Sequence, residues 1–117
     1  MSGATSYHAG LVAEDQVADH YRRSGRAVAH RRWRGKGGEI DIVVRDGDDI
    51  VFIEVKKSRD FARAAESLSL RQMQRIYTAA SEYLAGEPVG QLTPARFDVA
   101  HVNAQGQIDV IENAFAA

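Results

Sequence analysis

Two short triplets hold the residues whose types and spacing point to chemistry: Glu39-Ile40-Asp41 and Glu54-Val55-Lys56. Twelve residues separate Asp41 from Glu54, and nearly all are those of a strand–turn–strand unit. Ile40, Ile42, Val43 and Val44 build the first run, and Ile50, Val51, Phe52, Ile53 and Val55 the second. Asp46-Gly47-Asp48-Asp49 between them is turn chemistry. A two-residue loop at Gly47-Asp48 pairs Asp46 with Asp49, and counting outward sets Asp41 opposite Glu54 and Glu39 opposite Lys56. A four-residue loop gives the same register, whereas a three-residue loop does not. Directly opposed residues have Cβ atoms roughly 4.5–5.5 Å apart. Glu39 opposite Lys56 is an ordinary cross-strand ion pair. Asp41 opposite Glu54 brings two like charges together in apolar surroundings, and they need a proton, a cation or a metal between them.

The flanking elements follow from periodicity. A first helix is expected over about Ser6–Arg23, with Leu11, Ala13, Val17, Ala18 and Tyr21 on its apolar stripe and Gly25 as a stop. Glu14 falls on that stripe, where acids are unusual. It either pairs with an arginine or serves as a third carboxylate aimed at the strand pair. Arg26–Trp33 reads as a first strand. Arg34–Gly38 reads as a Gly-rich basic loop, flexible and facing substrate. A second helix is expected over Ser69–Ala85, its stripe made by Met73, Ile76, Tyr77, Ala80 and Leu84, with Gln72 and Arg75 flanking it toward a ligand. Gly86–Pro94 reads as a loop, and Arg96–Val102 and Gln107–Ile111 as two final strands. Asp98 is expected to be a structural partner of Arg96. The order helix, three strands, helix, two strands implies an α/β fold with a mixed sheet, its second and third strands central and buried.

Composition narrows the class. The chain has 117 residues, enough for one domain spanning 1–117 with a single core. It has no cysteine, which excludes disulfides and thiolate metal sites. His8, His20, His30 and His101 are not at ligand spacing, which argues against a histidine zinc site. No apolar run approaches the roughly 18 residues of a membrane span, and the N-terminus lacks a basic-then-apolar signal pattern, so a cytoplasmic protein without a membrane partner is expected. The net charge of −1 hides an asymmetry: residues 22–36 carry seven Lys or Arg and no acid, leaving −8 on the remainder. Arg31, Arg32, Arg34 and Lys36 make this segment the expected nucleic-acid contact.

G-E-I-D followed after twelve residues by E-V-K resembles the core motif of PD-(D/E)xK nucleases, which have the restriction-endonuclease-like fold. The whole chain resembles the YraN family of uncharacterised bacterial proteins. The resemblance rests on the early Ala13-Glu14, G-E-I-D-I-V, F-I-E-V-K, the Tyr83-Leu84 end of the second helix, R-F-D-V and the closing N-A-F. It implies a three-layer core of about five strands in the order αβββαββ. It also implies an Mg²⁺- or Mn²⁺-dependent endonuclease acting on DNA, structure-selective for branched or junction substrates, since the family is distantly similar to archaeal Holliday-junction resolvases. Glu14, Asp41, Glu54 and Lys56 match the family's proposed active site, with Glu14, Asp41 and Glu54 as metal ligands and Glu39 holding Lys56. The family often has Lys where Gln72 stands, and its arginine after E-V-K appears one residue later, as Arg59. Resolvase-like relatives usually work as dimers on two strands, so the resemblance also implies a homodimer. The competing reading is a nuclease fold used as a nucleic-acid- or protein-binding module without catalysis.

Overall fold

The computed structural model describes residues 3–57 and 69–114, with side chains of the first helix from Gly10 onward. Helix α1 spans Gly3–Arg23, followed by strands β1 (Ala27–Arg34), β2 (Glu39–Asp46) and β3 (Asp49–Lys57). Helix α2 spans Leu70–Leu84, a 3₁₀ turn covers Gly90–Leu92, and strands β4 (Ala95–Val102) and β5 (Ile108–Ile111) close the order. The sheet runs β1-β2-β3-β4-β5. Only the β3–β4 pairing is parallel, so the sheet is mixed.

The β2–β3 hairpin has the register expected from its turn: Asp46 faces Asp49, Val44 faces Val51 and Ile42 faces Ile53. Gly47 has φ 64°, a left-handed conformation that costs glycine nothing and explains its place in the turn. β2 and β3 are apolar on successive residues because helices cover both faces of the sheet. On one face Ala13, Val17, Ala18 and Tyr21 of α1 pack on Ile42, Val44, Val51 and Ile53. On the other, Ala79, Ala80, Tyr83 and Leu84 of α2 pack on Ile40, Val43, Ile50 and Phe52. The result is a three-layer α/β core in the expected element order.

α2 begins where its sequence says it should. Ser69 is the N-cap; its side chain accepts the Gln72 N–H while the Gln72 side chain accepts the Ser69 N–H, a reciprocal capping box. The buried stripe of α2 is Ile76, Ala79, Ala80, Tyr83 and Leu84, with Met73 and Tyr77 half-buried at its margin. Asp98 is structural, as expected. Fully buried on β4, it accepts hydrogen bonds from Tyr21 Oη (2.9 Å), Arg96 Nε (3.1 Å) and the Asn113 amide (3.0 Å). No helix among the described residues is long and apolar enough to cross a membrane.

Candidate functional site

The regular β2–β3 ladder reaches Ile42 and Ile53. One residue further, a side chain joins the strands: Asp41 Oδ2 accepts the Val55 N–H at 2.8 Å. The alternation of β2 breaks at the same place, since Ile40 and Val43 both pack toward α2 while Ile42 and Val44 pack toward α1. Asp41 thereby sits in the wall between two clefts. The α1-side cleft, about 240 Å³, is also lined by Glu14, Arg32, Val55 and Lys57. The α2-side cleft, about 300 Å³, is also lined by Glu39, Glu54, Gln72 and Arg75.

Asp41 and Glu54 meet, as the register requires. Burial pushes the Glu54 carboxyl well above the ordinary carboxylate range, and the neighbouring Asp41 charge adds to it. Burial also raises Asp41, opposed chiefly by the Val55 amide. A hydrogen bond between the two side chains lowers Asp41 and raises Glu54 further. Lys56 Nζ lies 3.4 Å from Glu54 Oε1, each side chain being 17% exposed. This pairing corrects the expected Glu39–Lys56 contact. Glu39 instead takes Arg34 Nη2 at 3.1 Å and Arg32 Nε at 3.8 Å. The expected contact assumed a ladder that continues outward, whereas the backbone pairing gives way to the Asp41 side chain.

Glu14 makes the expected arginine pair. It is 6% exposed on the inward face of α1, and its carboxylate is 3.5 Å from Arg32 Nε. Burial first, and then the Asp41 charge, raise its proton affinity, while Arg32 lowers it. Glu14 is therefore near enough to Asp41 to feel its charge.

Among the described residues, no three acids or histidines come together closely enough to hold a metal ion between them. The donor set nevertheless suits a hard divalent cation. Asp41 and Glu54 offer paired oxygen donors beside Lys56, with Glu14 across the α1-side cleft. Mg²⁺ is commonly held by one or two carboxylates and keeps its remaining positions for water and phosphate.

The basic segment is less free than its composition implies. Arg22 pairs with Asp19 at 3.0 Å, Arg26 with Asp46 at 3.1 Å, and Arg31 with Asp15 at 2.6 Å. Nor is the Gly-rich loop a flexible one. The Glu82 carboxylate accepts the Lys36 and Gly37 amides, each at 2.7 Å, and a Cβ at Gly37 would collide with Thr78. Sequence reasoning missed this clamp. Its signal is that Glu82 is the sole acid of α2. The Gln72 side-chain oxygen is engaged in the cap, so Gln72 lines the α2-side cleft as an anchored side chain. Trp33 packs edge-on against Tyr83, with ring centroids 5.3 Å apart. Arg59 lies outside the described residues.

A mixed five-stranded sheet between two helices, with a desolvated carboxylate pair and a lysine where its inner strands part, defines the class: an α/β protein with an acidic site at a strand opening. The chain belongs to the uncharacterised protein family UPF0102, whose model matches residues 13–102. It is 65% identical to a UPF0102 protein of Cereibacter sphaeroides strain KD131 over 117 residues, the whole of both chains. It is 57% identical to one from Ruegeria pomeroyi, over 97% of this chain and 92% of the relative. With a UPF0102 protein of Dinoroseobacter shibae the identity is 44%, over 95% and 83% respectively.

Proposed function

We propose that this protein is a divalent-metal-dependent phosphodiester hydrolase acting on DNA, with Asp41 and Glu54 as principal metal ligands, Glu14 completing the acid set and Lys56 as the catalytic cation. The observation that carries the reading is the Asp41–Glu54 pair, two half-buried carboxyl groups facing each other beside Lys56, with Asp41 in the wall between two clefts. A structural ion pair has no need of the second acid. When bound, Mg²⁺ or Mn²⁺ would neutralise charge on the scissile phosphate and lower the pKa of a bound water.

The chain's own groups account for the rest. The Val55 amide fixes the Asp41 carboxylate and leaves its other oxygen for a ligand. The raised proton affinity of both acids means that a cation must compete with protons for them. Lys56, held by Glu54 on the strand face that lines the α2-side cleft, presents its ammonium to an attacking water or a phosphate oxygen, where it favours the more highly charged transition state. Arg75 in the same cleft, and Arg32 and Lys57 across the Asp41 wall, supply positive charge for the flanking backbone.

The test is cleavage of labelled duplex, single-stranded, flap and four-way-junction DNAs with Mg²⁺ or Mn²⁺. Chelator-sensitive cleavage that disappears in Asp41→Asn is the expected result. DNA binding without cleavage of any substrate, together with Mn²⁺ affinity unchanged in Asp41→Asn, would instead establish a binding module.

A further inference from the structure

Beyond the acid site, α1 and the sheet enclose a second cleft of about 320 Å³, lined by Val12, Ala13, Gln16, Lys57 and the β4–β5 turn from Asn103 to Gly106. It shares Ala13 and Lys57 with the α1-side cleft of Glu14 and Asp41, so the two run together along α1 as one groove. Its lining differs from that of the acid site. Lys57 is the sole charged residue lining it, and side-chain amides supply most of its remaining polarity.

We infer that this second cleft is a nucleotide subsite: Lys57 holds the phosphate next to the scissile one, and the Gln16 amide takes the edge of an unpaired base, so that the substrate is DNA with an unpaired strand at the cleavage point. It rests on the metal-dependent reading above and names the substrate class of that same site.

Charge sets the path of the strand. Glu14 and Asp41 line the first cleft, and Lys57 stands where the two clefts meet. Lys57 is exposed at the end of β3 and, among the described residues, pairs with no carboxylate. A phosphate that has passed the acids therefore meets a cation. The base site beyond has a fixed floor. Asn103, 9% exposed, accepts the Gln105 and Gln107 amides at 3.0 and 2.9 Å and donates to the Gln107 side chain at 2.6 Å. Gly106 closes the turn with φ 78°, and a Cβ there would lie 3.0 Å from the Gln16 amide nitrogen, so the turn passes close to the Gln16 side chain.

Gln16 is half-buried, and its side-chain amide makes no hydrogen bond among the described residues. It thus offers a base edge both donors and an acceptor. Val12, 55% exposed at the rim, offers the base an apolar surface. In a duplex the pairing edges are occupied, and the groove edges are read by elements that project into the groove. Gln16 is recessed between α1 and the turn, so only an unpaired base reaches it.

The experiment measures binding by fluorescence anisotropy in Mn²⁺, with Lys56→Ala protein to prevent cleavage and two labelled DNAs, a blunt duplex and the same duplex carrying a single-stranded flap. Flap DNA is expected to bind about fivefold more tightly, the scale of one net hydrogen bond. Gln16→Met, which keeps the side chain's length and helix propensity and removes the amide, should lower flap affinity to that of the blunt duplex. An abasic nucleotide at the base of the flap should do the same to the parent protein and add nothing in Gln16→Met. Lys57→Ala should flatten the salt slope on flap DNA by about 0.7, one single-strand phosphate contact. If flap and blunt DNA bind alike, if the preference survives Gln16→Met, or if the slope is unaltered in Lys57→Ala, the subsite is overturned; chelator-sensitive cleavage by the wild type then leaves the hydrolase reading standing. If the preference depends on Gln16 and Lys57 but the wild type cleaves neither DNA, the binding subsite is upheld and the hydrolase reading falls. If neither DNA binds, both fall.

Discussion

The two ends of the β2–β3 hairpin carry the same chemistry in different surroundings. At the turn, Asp46 faces Asp49 across the strands; at the opposite end, Asp41 meets Glu54. Asp49 is exposed and Asp46 is bonded to Arg26 at 3.1 Å, so water and a guanidinium meet their charges. Asp41 and Glu54 lie where α1 and α2 both close over the sheet, and burial raises the proton affinity of each. Facing acids therefore do not make a site by themselves. The open end differs because burial, rather than water, surrounds its two acids, with Lys56 the cation beside them.

The largest expected effect separates the two ends directly. Asp41→Asn should weaken Mn²⁺ binding by on the order of 100-fold or more, exceeding the loss usual for outer-shell partners, and abolish cleavage. Asp49→Asn should change neither, and equal losses at both ends, measured by calorimetry, would erase the distinction. Next, Lys56→Ala should lower turnover by about 10²–10³-fold, the range for one electrostatic stabiliser, with Mn²⁺ affinity retained.

A smaller effect concerns stability. In chelator, Glu54→Gln should raise the melting temperature at neutral pH by about 4 °C if relief of the buried charge is worth about 1 kcal/mol. Its sign follows from linkage. Glu54 holds its proton more firmly folded than at its ordinary value of 4.5, so the stability this proton confers is complete below pH 4.5. It is lost as pH rises through the higher folded value. The wild type should thus lose stability relative to Glu54→Gln across that window, and a pH-independent difference in thermal melts would contradict the desolvated state of the open end. The smallest effect is expected on the basic segment. Arg31→Ala, Arg32→Ala and Arg34→Ala together should flatten the slope of log DNA affinity against log salt by at most about 3 units, less wherever an arginine stays with its acid. An unaltered slope would place the binding face elsewhere.

Features set by neighbours in the chain were legible in advance. Asp46-Gly47-Asp48-Asp49 sets the hairpin register, Ser69 and Gln72 mark the start of α2, and Glu14 stands out on an apolar stripe. Features set by distant partners were not. The hairpin count carried the ladder past Asp41 and so mispaired Glu39 with Lys56, because nothing local reveals that a carboxylate will replace a backbone bond to Val55. The left-handed backbone of Arg32 is likewise invisible in a run of arginines, since residue type gives no reason for it. The clamp on the Gly-rich loop links residues 45 and 46 positions apart.

That clamp has a mechanical consequence. With Lys36 and Gly37 gripped by Glu82, and Gly37 seated where a methyl group would strike Thr78, loop and helix form one jaw. The α2-side cleft lies between Gly38, Gln72 and Arg75 and the Asp41 wall, so the clamp helps set its width.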